Sequence, residues 1–265
     1  MIFKEYKESI SIDSEIISKY AMNTMAYFDI ETTGFDKESD NISIISLGYF
    51  ANDGMFAIKQ YFAETLEEEP IILQEFIMEL EKFSRWCSFN GIAFDAPFIL
   101  KKMECYRIDL QIPPEHIDLY RLIRPFQQAL GVNNCSLKAV EKHLGIDRKD
   151  KIHGGESAEL YKAYLENRSS ELLEILLLHN YEDVLNLPLL FEIIYRIDNS
   201  NTIFRENIIT SKQSKYLKSL LVKHNIQIII NIEKLSKKCA SRTIDAILQG
   251  NYNSSEITNI ILSNY

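Results

Sequence analysis

The sequence predicts an α/β protein, a mixed five-stranded sheet covered by helices, with a small helical module at its C-terminal end. Three observations predict it. β-rich apolar runs crowd residues 25–120, helical periodicity fills residues 136–197, and the charge balance changes sign near residue 200. Strands first and helices after, with helices interleaved among the last two strands, is the pattern of a sheet with helices packed on it. The 265 residues are 46% hydrophobic, ample for a sizeable core.

Residues 1–24 have mixed polarity and little periodicity, and read as a lead-in segment with a short helix around Ser14–Tyr20 and no visible chemistry. Met25–Gly34 is the first strand. Residues 41–50 and 55–63 are β-rich runs joined by Ala51-Asn-Asp-Gly54, a hairpin signal. Residues 67–85 carry acids in the first turn, Pro70 near the start, and Ile72, Phe76, Leu80 and Phe83 at helical spacing. Trp86–Asn90 reads as a fourth strand followed by a helix over residues 96–106. Ile117–Tyr120 reads as a fifth, leading into an apolar helical stretch through Leu130. Ser136 caps a helix that Gly145 stops; further helices span residues 158–166 and 170–197, the last with a break at Pro188. The expected organisation is a lead-in (1–24), a main domain (25–200) and a basic module (205–265).

In that module Thr210 and Ser236 are N-cap residues for two amphipathic helices. Tyr216, Leu217, Leu220 and Leu221 are expected to face Ala240, Ile244, Ile247 and Leu248, with Ile226–Ile232 as an extended run between. From residue 205 onward nine basic residues face four acids, a net charge of +5 on a chain whose total is −9. Such asymmetry suggests a division of labour. The module fits phosphate contacts and fits docking onto the acidic body of the chain equally well.

Cys87, Cys105, Cys135 and Cys239 are scattered without a C-x-x-C spacing, which argues against a zinc site and a disulfide scaffold. No apolar run approaches bilayer length, and Met1-Ile-Phe-Lys-Glu-Tyr-Lys is too charged for a secretory signal, so a cytoplasmic location and no membrane partner are expected.

The chemistry concentrates in three clusters. Alternate side chains of a strand share a face, so Asp29 and Glu31 point one way while Phe28 and Ile30 point the other. Two carboxylates that close repel unless a cation separates them, and Mg²⁺ prefers such oxygen ligands. In the second cluster Asp95 follows the strand end Asn90-Gly91 and opens the next helix, where it also reads as an N-cap. In the third, His179 and Asp183 lie four residues apart on one helix face, so the histidine can act as general base beside a metal that the aspartate holds.

Asp29-Ile-Glu31-Thr-Thr-Gly, Asn90-x-x-x-Phe94-Asp95 and His179-x-x-x-Asp183 occur in the order of the three motifs of the DEDD (DnaQ-like) 3′-5′ exonucleases, and over residues 25–195 the chain resembles that superfamily. Within it the chain is most similar to the YprB-like, RNase H-like exonuclease group. Beyond the three motifs that likeness rests on His116-Ile-Asp118, Ser136-Leu-Lys-x-Val-Glu141, Arg148-x-x-Lys-Ile-x-Gly154, Tyr161-x-x-Tyr164 and His179-Asn180-x-x-Asp183. The resemblance implies an RNase H-like fold in which Asp29, Glu31, Asp95 and Asp183 hold two divalent ions, Mg²⁺ or Mn²⁺. It implies His179 as base, with Thr32, Asn90, Asp118 and Asn180 around the site or on the substrate. One departure is that His179 stands four residues before the last aspartate, the spacing of Tyr-type members, whereas His-type members place the base five before. His153, in a loop, is an alternative base, and Tyr181 points to another face.

The implied reaction is hydrolysis of single-stranded DNA or RNA from the 3′ end, releasing nucleoside 5′-monophosphates. Alternatives are a non-catalytic nucleic-acid-binding module of the same fold, or an RNase H-like nuclease subunit of a larger assembly with the C-terminal module as its protein-docking element. An acidic body repels phosphates, so bases must compensate; Lys101, Lys102, Arg121, Arg124, Lys138, Lys142, Arg148, Lys149 and Lys151 are the candidates.

Overall fold

The computed structural model describes residues 1–109, 112–113, 115–153 and 155–263. Among them six strands form one mixed sheet: β1 (Ile2–Glu8), β2 (Met25–Thr32), β3 (Ile42–Phe50), β4 (Phe56–Phe62), β5 (Arg85–Ser88) and β6 (Glu115–Asp118). Their order is β1-β4-β3-β2-β5-β6. The pairs β1–β4, β4–β3 and β3–β2 are antiparallel, whereas β2–β5 and β5–β6 are parallel. Helix α1 (Ser14–Tyr20), capped by the Asp13 side chain, connects β1 to β2.

The sixth strand corrects the expected count of five and lies in the lead-in, where the sequence reading placed only the short helix at Ser14–Tyr20 that α1 forms. Residues 2–8 run antiparallel along β4 with half-covered and exposed positions alternating. Lys4, Glu5, Lys7 and Glu8 hide the strand in the sequence, since an edge strand carries charges that discourage pairing with another chain. Tyr6 packs its ring 4.6 Å from that of Tyr181, which accounts for where Tyr181 points.

Each face of the sheet is sealed by helices. On one, Phe28 and Ile30 of β2 join a core with α2 (Glu69–Leu80) and α3 (Asp95–Tyr106) through Ile72, Phe76, Phe98 and Ile99. On the other, Ile44 and Phe62 pack against Tyr161 and Tyr164 of a helix over Ser157–Asn167, and against Leu176 and Leu177 of one over Ser170–Asn186. The expected apolar helix after β6 is broken into α4 (Leu119–Ile123), a 3-10 turn holding Pro125, and α5 (Gln127–Leu130). In chain order the next helices are α6 (Leu137–His143), α7 (Ser157–Asn167), α8 (Ser170–Asn186) and α9 (Phe191–Asn199). A 3-10 turn over Leu187–Leu190 separates the last two, because Pro188 cannot continue the α-helical hydrogen bonds.

The chain divides into two compact units, Met1–Tyr120 with Ser136–Tyr195, and Arg121–Cys135 with Arg196–Tyr265. The second therefore includes a segment that the sequence reading assigned to the main domain. It holds α10 (Ser211–Lys223), α11 (Lys237–Leu248) and α12 (Ser254–Ser263). Thr210 and Gln213 form a reciprocal capping box on α10, and Ser236 caps α11. Leu217, Leu220, Leu221, Ala240, Ile244 and Ile247 close the core with Ile257 and Ile261 of α12, a helix absent from the sequence reading. Tyr216 and Leu248, expected inside, are exposed. The Ile226–Ile232 run, expected to be extended, pairs in no strand; an isolated bridge in this unit joins Ile208 and Ser236. Among the described residues no helix is long and apolar enough to cross a membrane.

Deleting residues 1–9 strips β4 of its outer antiparallel partner and leaves it paired to β3 alone. The truncated chain is expected to unfold at lower urea than the full chain and to self-associate on size exclusion, since a bare edge is a pairing template. A monomer with an unchanged urea midpoint would show that β1 contributes nothing to the sheet.

Candidate active site

Strand β2 carries Asp29 and Glu31 on the face opposite Phe28 and Ile30. Its pairing with β3 shifts register between Glu31 and Thr32, a bulge that bends the strand end beside the acids. Thr32 closes the following turn, its hydroxyl donating to the Gly34 carbonyl at 2.6 Å.

Asp95 is brought to the same place by a fixed loop. Asn90 adopts a left-handed conformation at φ +65°, and a Cβ on Gly91 would come 2.2 Å from the Ser88 hydroxyl, so glycine is required there. Asp118, buried at the end of β6, accepts from the Asn90 and Ile92 amides at 2.9 and 3.2 Å. Its observed bonds thus hold the loop that positions Asp95. The sequence reading had Asp95 as a helix cap. It is instead the first residue of α3, and its Oδ1 accepts from the Ile30 amide at 3.1 Å, bonding the second motif to β2.

Helix α8 supplies His179, Asn180 and Asp183, all buried. Asn180 Nδ2 donates to Asp29 Oδ2 at 2.9 Å, while its Oδ1 accepts from Ser46 at 2.5 Å and Gln60 at 3.2 Å. Asp29 is thereby oriented by β3 and β4. His179 Nε2 lies 3.4 Å from Glu31 Oε1 and 3.6 Å from Asp183 Oδ2.

Asp150 was missed by sequence reasoning. Its Oδ2 lies 2.8 Å from His179 Nδ1 and receives Lys138 Nζ at 2.6 Å and Arg148 Nη2 at 3.1 Å. An ionised carboxylate only accepts, so the short contact places the hydrogen on Nδ1 and leaves Nε2 toward Glu31 and Asp183. The only sequence signal was its place inside the Arg148-x-x-Lys pattern; Gly154 of that pattern lies outside the described residues. Glu182 accepts from the Lys149 and Asp150 amides at 3.0 and 2.9 Å, holding this loop on α8.

Arg148 corrects another expectation. Rather than meeting substrate, it is buried among acids, donating to Asp183 Oδ1 at 2.5 Å, to Glu141 at 3.2 Å and to the His179 carbonyl at 3.1 Å. Lys138 is likewise committed to Asp150, Lys101 to Glu38 and Glu104, and the buried Lys102 lies 3.9 Å from Glu69. His153 is exposed in its loop and Tyr181 donates to Glu8 at 2.8 Å, so among the described bonds neither joins this cluster.

The electrostatics follow from crowding. Desolvation, then the charges of Asp183, Asp95 and Glu31, push the Asp29 carboxyl well above the usual range. Burial raises Glu31 to about 7, partly countered by His179, and raises Asp95 to about 7, partly countered by the Ile30 amide. Burial disfavours a charged His179, but the Asp150 bond and the Asp183 and Glu31 charges outweigh it, so its pKa is raised. Asp150 goes the other way: burial opposes ionisation, and the bonds from His179 and Lys138 prevail. Buried oxygen donors that resist ionising together suit a divalent cation. Glu31, His179 and Asp183 each offer a ligand atom, all within 4.8 Å of one another, so the residues present fit a metal ion.

The family described as the RNase_H superfamily (RNase_H_2) matches residues 26–195. A relative from Bacillus subtilis (strain 168), named "Uncharacterized protein YprB", is 31% identical over 176 residues. That match takes in 65% of this chain but only 42% of the relative, so the chain spans less than half of that protein's length. A solved structure titled "apo form of the nuclease" is 18% identical with a TM-score of 0.46, over 72% of this chain and 81% of that one.

The raised carboxyls make a signed prediction. Between about pH 4.5 and 7 the folded chain keeps protons on Glu31 and Asp95 that the unfolded chain has released, so stability of the cation-free protein falls as pH rises through that window. The raised His179 adds to the fall, its contribution being lost as pH passes its folded value; the lowered Asp150 contributes fully above 3.8 and leaves the trend unchanged. In EDTA, Tm is expected to drop over this range, and Glu31→Gln should flatten the drop. Added Mg²⁺ should raise Tm more at the upper end, because ligand protons must leave first. A wild-type Tm independent of pH there would contradict the crowded site.

Proposed function

From the premise that the chain belongs to the RNase H superfamily, we propose that it is a metal-dependent nuclease of the DEDD (DnaQ-like) type, hydrolysing single-stranded DNA or RNA from the 3′ end to nucleoside 5′-monophosphates. The observation that carries this reading is the convergence of four acids from one strand and two helices: Asp95 accepts from the Ile30 amide between Asp29 and Glu31, Asn180 of α8 donates to Asp29, and His179 lies between Glu31 and Asp183. These four acids would hold two divalent ions, Mg²⁺ or Mn²⁺, which when bound polarise the scissile phosphate and ease loss of a proton from the attacking water.

The chain's own groups do the rest. In its neutral form His179 accepts the water's proton at Nε2, since the Asp150 contact keeps that form's ring hydrogen on Nδ1. Asp150 keeps the ring from turning. Asn180 fixes the Asp29 carboxylate, and Arg148 holds Asp183 and the α8 backbone while partly offsetting the negative charge. A second reading is favoured by one specific observation, the 4.8 Å grouping of Glu31, His179 and Asp183: there His179 Nε2 is itself a metal ligand.

The test is digestion of matched labelled DNA and RNA single strands with Mg²⁺ or Mn²⁺, alongside circular strands that have no 3′ end. A ladder growing from the 3′ end, with circles resistant and EDTA blocking, is the expected result. Cut circles would make the protein an endonuclease, and no hydrolysis with either ion would leave a binding module. Asp29→Ala and Asp183→Ala should each abolish hydrolysis without unfolding the chain.

His179→Ala should lower turnover by about 10²- to 10⁴-fold if it is the base. Unchanged metal affinity by calorimetry would fit the base, and a parallel loss of affinity would fit the ligand. Asp150→Asn should cost roughly 10- to 100-fold in rate, as removal of an orienting partner does.

A further inference from the structure

The second unit contains a cleft of about 490 Å³ whose walls carry Arg124, Arg205, Lys237 and Lys238 against the single acid Glu206. Three segments far apart in sequence build it, and their backbones are tied together. The Glu206 amide donates to the Pro125 carbonyl at 2.8 Å, the Lys237 amide donates to the Asn207 carbonyl at 2.8 Å, and Ile208 bridges Ser236. The shape is therefore set by main chain and does not depend on mobile side chains meeting.

The donors match one ligand chemistry. Arg205 is 7% exposed, with Nη1 donating to the Lys234 carbonyl at 3.2 Å and its guanidinium carbon 5.8 Å from the Phe126 ring centroid, so the group is pre-oriented in the wall. Lys237 and Lys238 are exposed and form the first turn of the twelve-residue α11, where the helix dipole adds positive potential to their charges. A guanidinium with two ammonium groups at a helix N-terminus is a phosphate-binding set. Such lining repels divalent cations. The volume far exceeds what one phosphate ion occupies, and among the described residues lining the cleft none is aromatic, so contacts go to a backbone and not to stacked bases.

We propose that this cleft binds the phosphodiester backbone of a nucleic acid, without regard to sequence, using residues of the second unit alone. The assignment is independent of hydrolysis and stands or falls on binding. It also gives Arg124 a role with the C-terminal residues, which the charge count from residue 205 onward had left out.

The test uses the full chain in EDTA and a fluorescent 20-nucleotide single strand, with affinity read by anisotropy over a salt series. Lys237→Glu with Lys238→Glu should weaken binding at least tenfold at low salt. It should also reduce the slope of log affinity against log salt by about 1.4, at roughly 0.7 per lost phosphate contact. Arg124→Gln should remove about 0.7. Circular dichroism and thermal melting check folding, and the milder Lys237→Gln with Lys238→Gln, expected to show the same direction, is used if the reversal perturbs either.

A variant folded like wild type with the same affinity and slope overturns the proposal. So does saturable binding of inorganic phosphate at this cleft with no binding of the strand, which marks a free-ion site. Equal affinity for a polyglutamate peptide of matched length would also overturn it, marking an acidic protein as the partner.

Discussion

Carboxylates packed out of water in one patch cannot all ionise unless positive charge is set among them, and most of the first unit's polar architecture answers that constraint. Arg148 is threaded between Asp183, Glu141 and Asp150; Lys138 meets Asp150; Asn180 donates to Asp29; the Ile30 amide donates to Asp95. These donors are too few to neutralise the cluster. The residual demand is expressed in carboxyls raised toward neutrality and in a His179 drawn toward the charged form. A buried ion pair is a weak source of stability but a strong source of geometry. Arg148 fits that role, since its bonds join the 137–150 segment to α8 where His179 and Asp183 project.

The sheet is what allows the acids to converge. Adjacent strands β2 and β5 run parallel, so both deliver their C-terminal ends, Glu31 on one and the Asn90 loop on the other, to the same edge of the fold. The bulge at Glu31 and Thr32 and the tight Gly91 approach then set the last ångströms. Helix α8 crosses this layer with its polar side chains buried, so Ser46 and Gln60 in the middle of β3 and β4 serve as hydrogen-bond partners for Asn180. Polar groups buried in a sheet centre are costly unless satisfied, and here the satisfaction is the positioning of Asp29.

The two units divide the charge chemistry between them. In the first, several basic side chains are paired with acids of the same unit, as Arg148, Lys138 and Lys101 illustrate. In the second, an excess of basic residues gathers around a main-chain-tied cleft. Net charge of the whole chain, −9, describes neither.

Periodicity and motif order alone determined the α/β class, the meander β2-β3-β4, the existence of the two short strands that follow, the helix caps at Ser136, Thr210 and Ser236, and the three acidic clusters. Those features are local: a strand's alternation or a cap's side chain acts within a few residues, so it is written in consecutive letters. The edge strand β1 was illegible because its charges, which suit an edge, erase the apolar alternation that marks a strand. The break near Pro125, the third helix α12 and the joining of Arg121–Cys135 to the second unit were illegible because they depend on what packs against them. The same holds at the site. Asp29, Glu31, Asp95, His179 and Asp183 were visible as residue types at fixed spacings. Asp150 as the partner of His179, Arg148 as an internal counter-ion and Asp118 as the brace of the Asn90 loop were decided by tertiary structure, since each acts through a hydrogen bond or ion pair to a residue 26 to 35 positions away. No local pattern encodes such a pairing; only the folded chain brings the two groups within reach.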